Sequence, residues 1–292
     1  MNRINPPLTK EDTKVFIKKS NKLIRHLNKQ IILSTLMGDK TKKARYIVRR
    51  DSLIKNKKMS NYPSNFVEEK KRVAVYTVLY GDYDTIKPIK TKNPLCDYYI
   101  FTDQPVPDDS GWKLAEFVFP KEVGSDPILK NRYLKMHPHL LFPNYEYSIY
   151  LDAVIEISLD IYRLLSRMDN RVLGLFDHHQ KADCLYEEAE TIKRIGKASS
   201  QVVDSQMQRY EEDGFPHHFG FCECTLIIRR HNDGLCIDIM NLWWNEFFYG
   251  ARRDQLSFMY CIWKKGLSKQ DIACLGATYW DEPILSSEAH KK

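Results

Sequence analysis

Residues 73–84 read VAVYTVLYGDYD. The first eight are β-branched, aromatic or apolar and carry no charge, the composition of a strand buried in a sheet. Gly81, Asp82 and Asp84 end it. Further strands are predicted at 97–102 (DYYIFT), 112–119, 147–151 (YSIYL), 172–176 and 221–229 (FCECTLIIR). Helical periodicity is predicted over 127–141, 159–168, 183–212 (weakened at Gly196), 237–248 and 254–263. Strands alternating with helices predict an α/β sandwich with a mixed, mainly parallel sheet flanked by helices. Ligands of such sheets sit beyond the carboxyl ends of the strands. The strand exits therefore matter most: Thr77 to Asp84, Thr102 and Asp103, Asp152, and the stretch around His178.

Upstream of Val73 the chain changes character. Phe16, Leu23, Leu27 and Ile31 recur at helical spacing between lysines, and Thr9 with Asp12 resembles a capping box. Gly38 is expected to stop this helix, a second basic helix is predicted over 39–60, and Tyr62 to Ser64 read as a linker. Residues 1–72 hold 20 Lys and Arg against 6 Asp and Glu, a net +14. The remainder holds 25 against 32, a net −7. A basic segment on an acidic body reads as an attachment element for anionic lipid, nucleic acid or an acidic partner, or as a solvated basic helix pair. The acidic remainder shows no nucleic-acid motif, so no nucleic-acid partner is expected. No run approaches the ~18 apolar residues of a membrane span, and no apolar core follows the first charges. The expected location is cytoplasmic. The expected division is a basic helical extension over 1–70, one α/β domain over 71–285, and a disordered polar tail from Ser286.

Seven cysteines at irregular spacing read as reduced thiols, mostly core. No Gly-x-Gly-x-x-Gly follows the first strand, and neither a Walker loop nor a Gly-x-Ser-x-Gly elbow occurs. Dinucleotide oxidoreductases, P-loop enzymes and serine hydrolases are thereby disfavoured. The close histidine pairs, His137/His139 and His217/His218, read as exposed or helix-capping. Asp152 is the sharpest single residue. A carboxylate arriving at the end of an aromatic, β-branched strand needs a hydrogen-bond partner, a cation or a metal. Mg²⁺ or Mn²⁺ suits such an oxygen ligand beside a diphosphate.

Five segments in order carry a resemblance: 73–84, 96–103 (CDYYIFTD), 131–157 (NRYLKMHPHLLFPNYEYSIYLDAVIEI), 178–189 (HHQKADCLYEEA) and 253–258 (RDQLSF). They resemble the glycosyltransferase-like family formerly known as domain of unknown function number 616, related to GT-A transferases, whose plant members are described as hexosyltransferases. The resemblance implies a GT-A-like, Rossmann-like sheet that binds a nucleotide-sugar, most simply a UDP-hexose, and passes the hexose to a glycan or lipid-linked acceptor in surface-polysaccharide assembly. It implies donor contacts from Thr77, Tyr80, Gly81, Asp103, Lys130, Arg132, Asp152, Arg253 and Gln255. It assigns Asp254, Glu223 and His178 to catalysis and Glu187 to the acceptor. Asp152 matches the first acid of an Asp-x-Asp metal motif, so Mn²⁺ or Mg²⁺ is the implied cofactor. The second acid is absent, since Val154 stands in its place. Arg and Lys are then candidates for the cation's work. Inverting and retaining chemistry both stay open, as does a non-catalytic sugar-nucleotide or glycan-binding role. The basic helices over 9–58 are expected to meet an anionic membrane face or a partner enzyme.

Overall fold

A computed structural model describes residues 10–59, 71–178 and 183–287. The Thr9 cap, the 62–64 linker and the chain beyond 287 lie outside them. Two helices open the described chain, α1 (Lys10–Leu36) and α2 (Lys40–Met59). The sheet strands follow as β1 (Val73–Leu79), β2 (Cys96–Thr102) and β3 (Lys113–Leu114). Next come α3 (Pro127–Met136), α4 (Pro138–Leu141), β4 (Tyr147–Leu151), β5 (Ile155–Ile157) and β6 (Leu173–Asp177). The chain continues through α5 (Leu185–Arg194), α6 (Ser200–Glu212), β7 (Cys222–Arg229) and α7 (Gly234–Tyr249). It closes with α8 (Phe258–Lys264), β8 (Ala273–Gly276) and β9 (Leu285–Ser287).

Among the described residues, seven strands form one sheet in the order β3-β2-β1-β4-β7-β6-β8, with only β7 antiparallel to its neighbours. β5 and β9 make a separate antiparallel pair. Every residue of β1 is buried, as its uncharged composition requires. Alternation sends Tyr76 and Val78 into a core under α3, α7 and α8, and Val73 and Val75 into a second core on the other face.

Several boundaries differ from the sequence reading. The strand expected over 112–119 is only Lys113–Leu114, because Phe117 and Phe119 turn to pack on Tyr133, with ring centroids 5.8 and 6.2 Å away. The helix expected over 127–141 breaks at Pro138, which has no N–H to continue it. The 159–168 helix is a 3₁₀ segment, Ile161–Arg167, capped by Asp160. The 254–263 helix divides into a 3₁₀ turn, Asp254–Leu256, and α8. Ser286 is not in a disordered tail. It sits in β9, where its hydroxyl donates to Glu156 at 2.6 Å. His137 is helix-capping, at the end of α3 with Nδ1 2.7 Å from the Tyr133 carbonyl, but it is buried, stacked on Tyr133 at 4.0 Å, and burial pushes its pKa down to about 4.

The basic helices are not a free arm. Phe16 is buried in the second core, and Arg163 donates to the Thr13 hydroxyl at 3.0 Å. Arg49 grips Asp281 through two bonds of 2.7 and 2.8 Å. Asn56 donates to the Leu275 carbonyl at 3.1 Å.

Candidate active site

Strand polarity gathers most of the candidate residues at one edge. β1, β2, β4 and β6 run parallel to one another, so Gly81, Asp103, Asp152 and His178 all follow carboxyl ends on the same side. β7 runs the other way and brings its first residues, Cys222 and Glu223, to that side. At the β1 exit, Gly81 takes a positive φ of 77°, and both Asp103 oxygens accept its N–H at 3.0 and 3.1 Å. Asn131 donates to the Val78 carbonyl at 2.8 Å, which pins α3 against β1. Lys130 lies over the Tyr80 ring at 5.2 Å. Thr77 is buried within β1, and its hydroxyl has no hydrogen-bond partner among the described residues.

Two cations and two carboxylates meet at the centre. Arg132 and Lys135 lie three residues apart on α3, hence on one face. Lys135 is 1% exposed and Asp254 8%. The Lys135 ammonium donates to Asp254 Oδ2 at 2.7 Å and to Asp152 Oδ1 at 3.4 Å. Arg132 Nε lies 3.1 Å from Asp254 Oδ2. The Tyr150 hydroxyl donates to Asp152 Oδ1 at 2.7 Å. Trp243 Nε1 fixes the Asp254 backbone carbonyl at 2.8 Å. Burial by itself would push the Asp254 carboxyl up, but the Arg132 and Lys135 charges outweigh it and hold the group well below the usual carboxylate range. Burial likewise opposes the charge on Arg132, and Asp254 restores it, so the guanidinium pKa lies above its ordinary value. Burial and the neighbouring Asp152 raise the Tyr150 phenol far above its usual value, so it stays a donor.

This donor set does not fit a divalent ion bridging two acids. The second acid position is Val154, and Asp152 Oδ1 is taken by Tyr150 and Lys135. The nearest other acid in strand sequence, Glu156, faces elsewhere, toward Lys90 at 2.7 Å and Ser286. Among the described residues, no group of three or more His, Cys, Asp or Glu could hold a metal. Lys135 supplies a fixed positive charge between the two carboxylates.

Around this quartet the other candidates divide. Arg253 precedes Asp254 and pairs with no carboxylate among the described residues; its charge also favours the ionised Asp254. The Gln255 amide donates to the Cys222 carbonyl at 3.1 Å, tying the 3₁₀ turn to β7. Glu223 points away from the core that holds Cys222 and Cys224, as alternation requires. It is buried, accepting from the Thr278 hydroxyl at 2.8 Å and the Tyr279 N–H at 3.0 Å. Burial raises its pKa to about 7. Tyr279 lies within the fields of both Glu223 and Asp152. His178 sits edge-on to Phe221 at 5.3 Å. Glu187 is exposed in the first turn of α5, where its charge acts on His218, and it joins no member of the quartet among the described contacts.

The TOD1/MUCI70, glycosyltransferase-like domain matches residues 54–274 of the 292. The chain belongs to this family. It is 30% identical over 149 residues to the probable hexosyltransferase MUCI70 of Arabidopsis thaliana, covering 46% of this chain and 25% of the relative. It is 23% identical over 225 residues to the alkaline ceramidase TOD1 of the same plant, covering 66% of this chain and 48% of the relative. The chain thus spans between a quarter and a half of the length of these curated relatives. The family match begins within α2, so α1 and most of α2 lie outside it.

Lys135, Tyr150 and Trp243 also build the site, beyond the residues that the sequence singles out as candidates; Trp243 does so from the core, where it is fully buried. Lys135 carried a signal: a lysine between the apolar Leu134 and Met136, three positions after Arg132. A fourth, Arg229, is wholly buried and donates to the Lys135 carbonyl at 2.6 Å and the Tyr76 hydroxyl at 2.7 Å, which fixes the backbone that presents Lys135.

Proposed function

We propose that this chain transfers a hexose from a nucleotide-sugar, a UDP-hexose in the first instance, to a glycan or lipid-linked acceptor. The setting proposed is surface-polysaccharide assembly at the cytoplasmic side of a membrane. One observation carries the reading within a glycosyltransferase-like family: an ionised, buried carboxylate, Asp254, held by Arg132 and Lys135 at the ligand-binding edge of the sheet. In this reading Lys130 and Arg253, which pair with no carboxylate among the described residues, meet the donor diphosphate. Their charge stabilises the leaving nucleotide diphosphate as the sugar–oxygen bond breaks. Asp254 accepts hydrogen bonds from donor sugar hydroxyls. A carboxylate with so low a proton affinity is a weak base, so proton removal falls elsewhere. Glu223, with a pKa near 7, takes the acceptor hydroxyl proton. Lys135 provides the positive charge between Asp152 and Asp254, and the reaction is proposed to run without a divalent ion at Asp152.

A thermal-shift panel of sugar nucleotides with the whole chain, with and without Mn²⁺ and with EDTA, tests this. Ligand at 100 times its dissociation constant stabilises by about 2.7 kcal/mol. Stabilisation by one nucleotide-sugar, unchanged by EDTA, followed by sugar transfer in its presence, is the expected result. Stabilisation that needs Mn²⁺ overturns the role of Lys135. Binding without turnover favours a sugar-nucleotide-binding module, and no shift with any donor overturns the reading.

A further inference from the structure

The bend between α1 and α2 carries an exposed apolar stripe that packing does not explain. Ile32, Leu33, Leu36 and Met37 are 60, 50, 79 and 78% exposed. Spaced i, i+1, i+4 and i+5, they share one side of the helix end. Isolated exposed apolar residues are ordinary, but a contiguous set at the end of an otherwise basic helix pair marks a contact surface. The bend itself is well built. Gly38 takes a φ of 70°, Asp39 N–H returns to the Ser34 carbonyl at 2.9 Å, and Gly38 N–H to the Thr35 carbonyl at 3.2 Å. Asp39 then caps α2, accepting from Lys42 N–H at 2.9 Å and pairing with its ammonium at 3.2 Å.

Charge indicates what covers the stripe. Residues 10–59 hold 16 Lys and Arg against 4 Asp and Glu. Arg25, Lys29, Lys40, Lys42 and Arg45 are exposed on either side of the bend. Asp39 is the one acid between residues 13 and 50, and it is engaged by Lys42. Contacts with the body involve Thr13, Phe16 and Lys19 at the start of α1, and Arg49, Ser52 and Asn56 in α2. Along the helices, at ~1.5 Å per residue, Met37 lies about 27 Å from Lys19 and Lys40 about 14 Å from Arg49. The docked parts hold the hairpin while its tip stands off. Apolar side chains rimmed by cations match the boundary of an anionic bilayer, where lysines meet headgroups and leucines enter the acyl region. A nucleic-acid backbone would satisfy the lysines and leave the stripe in water.

We propose that the α1–α2 tip is a membrane-insertion element for anionic lipid, with Leu36 and Met37 entering the bilayer and Lys29, Lys40 and Lys43 meeting headgroups. The inference does not rest on the transferase reading.

The test is flotation of the full chain with vesicles of phosphatidylcholine alone or with phosphatidylglycerol added, at physiological salt. Wild type should bind the phosphatidylglycerol vesicles at least about tenfold more tightly than neutral ones, since each cation near an anionic surface adds about fivefold. Leu36→Glu with Met37→Glu should lose about tenfold or more. Lys29→Glu, Lys40→Glu and Lys43→Glu together should lose at least as much. Both variants should melt with the wild type, because the changed side chains touch solvent. The proposal fails if the Leu36/Met37 variant binds as wild type, which leaves electrostatics alone. It also fails if wild type binds neither vesicle, and a dimer abolished by that same variant would then assign the stripe to a second copy of the chain.

Discussion

Replacing Lys135 by methionine tests the centre of the site directly. The substitution keeps the length and apolar body of the side chain and removes its charge. The 2.7 Å pair with Asp254 is the larger loss, because the Asp254 side chain is only 11% exposed. The 3.4 Å pair with Asp152, whose side chain is 30% exposed, adds less. Removing one partner of a buried ion pair costs about 3–5 kcal/mol, since the other charge stays buried. A half-solvated pair adds up to about 1 kcal/mol. Arg132 remains 3.1 Å from Asp254 and holds the total toward the lower end. Lys135→Met should therefore unfold about 3 kcal/mol more easily in urea at pH 7. Lys135→Met with Asp254→Asn should recover half or more of that loss, because the stranded carboxylate is gone. Denaturant midpoints of the wild type, both single variants and the double variant give the coupling energy. A Lys135→Met protein within 1 kcal/mol of wild type, or a double variant no better than the single, refutes the argument that Lys135 neutralises a buried charge.

Three further outcomes follow from the same geometry. Asp254 has a folded pKa below its unfolded one, so its stabilisation is full above about pH 4 and is lost as pH falls further; the stability gap between wild type and Asp254→Asn should be flat near neutrality and shrink on acidification. Glu223 is the opposite case, with a folded pKa raised to about 7, so the protonated form favours folding and stability falls as pH rises from about 4.5 through 7. Glu223→Gln should flatten that slope by about 3 kcal/mol between pH 4 and 8, and should abolish the rise of transfer rate across pH 7 while leaving donor binding intact. Arg49→Ala leaves Asp281, whose side chain is 9% exposed, without its bidentate partner; the melting temperature should drop by several degrees, and limited proteolysis should cut α2 sooner.

The sequence exposes some of this and hides the rest for identifiable reasons. β1 is legible because eight uncharged residues in a row can only be buried, and the alternation that follows dictates a mostly parallel sheet. Asp152 is legible as an acid that needs a partner at a strand end. Its partner is not, because the Lys135–Asp254 contact joins positions 119 residues apart, and no local period encodes that meeting. Phe117 and Phe119 show the same limit in packing: their strand propensity is real, yet Tyr133 offers them more contact than the sheet edge does. The charge split separated residues 1–72 from the rest, but Phe16, Arg49 and Asn56 bind that segment to the body through side chains that composition counts as ordinary.

The docking of α2 also sets an order of events during synthesis. Asn56 waits for a carbonyl made 219 positions later, and Arg49 for a carboxylate 232 positions later. At about 5–20 residues per second, the hairpin spends roughly 10–50 s outside the ribosome before its seat exists. Throughout that interval the apolar tip and the cations beside it are already synthesised and adjacent in sequence. The lipid contact proposed for the tip would then be open to the nascent chain before the seat of α2 is made.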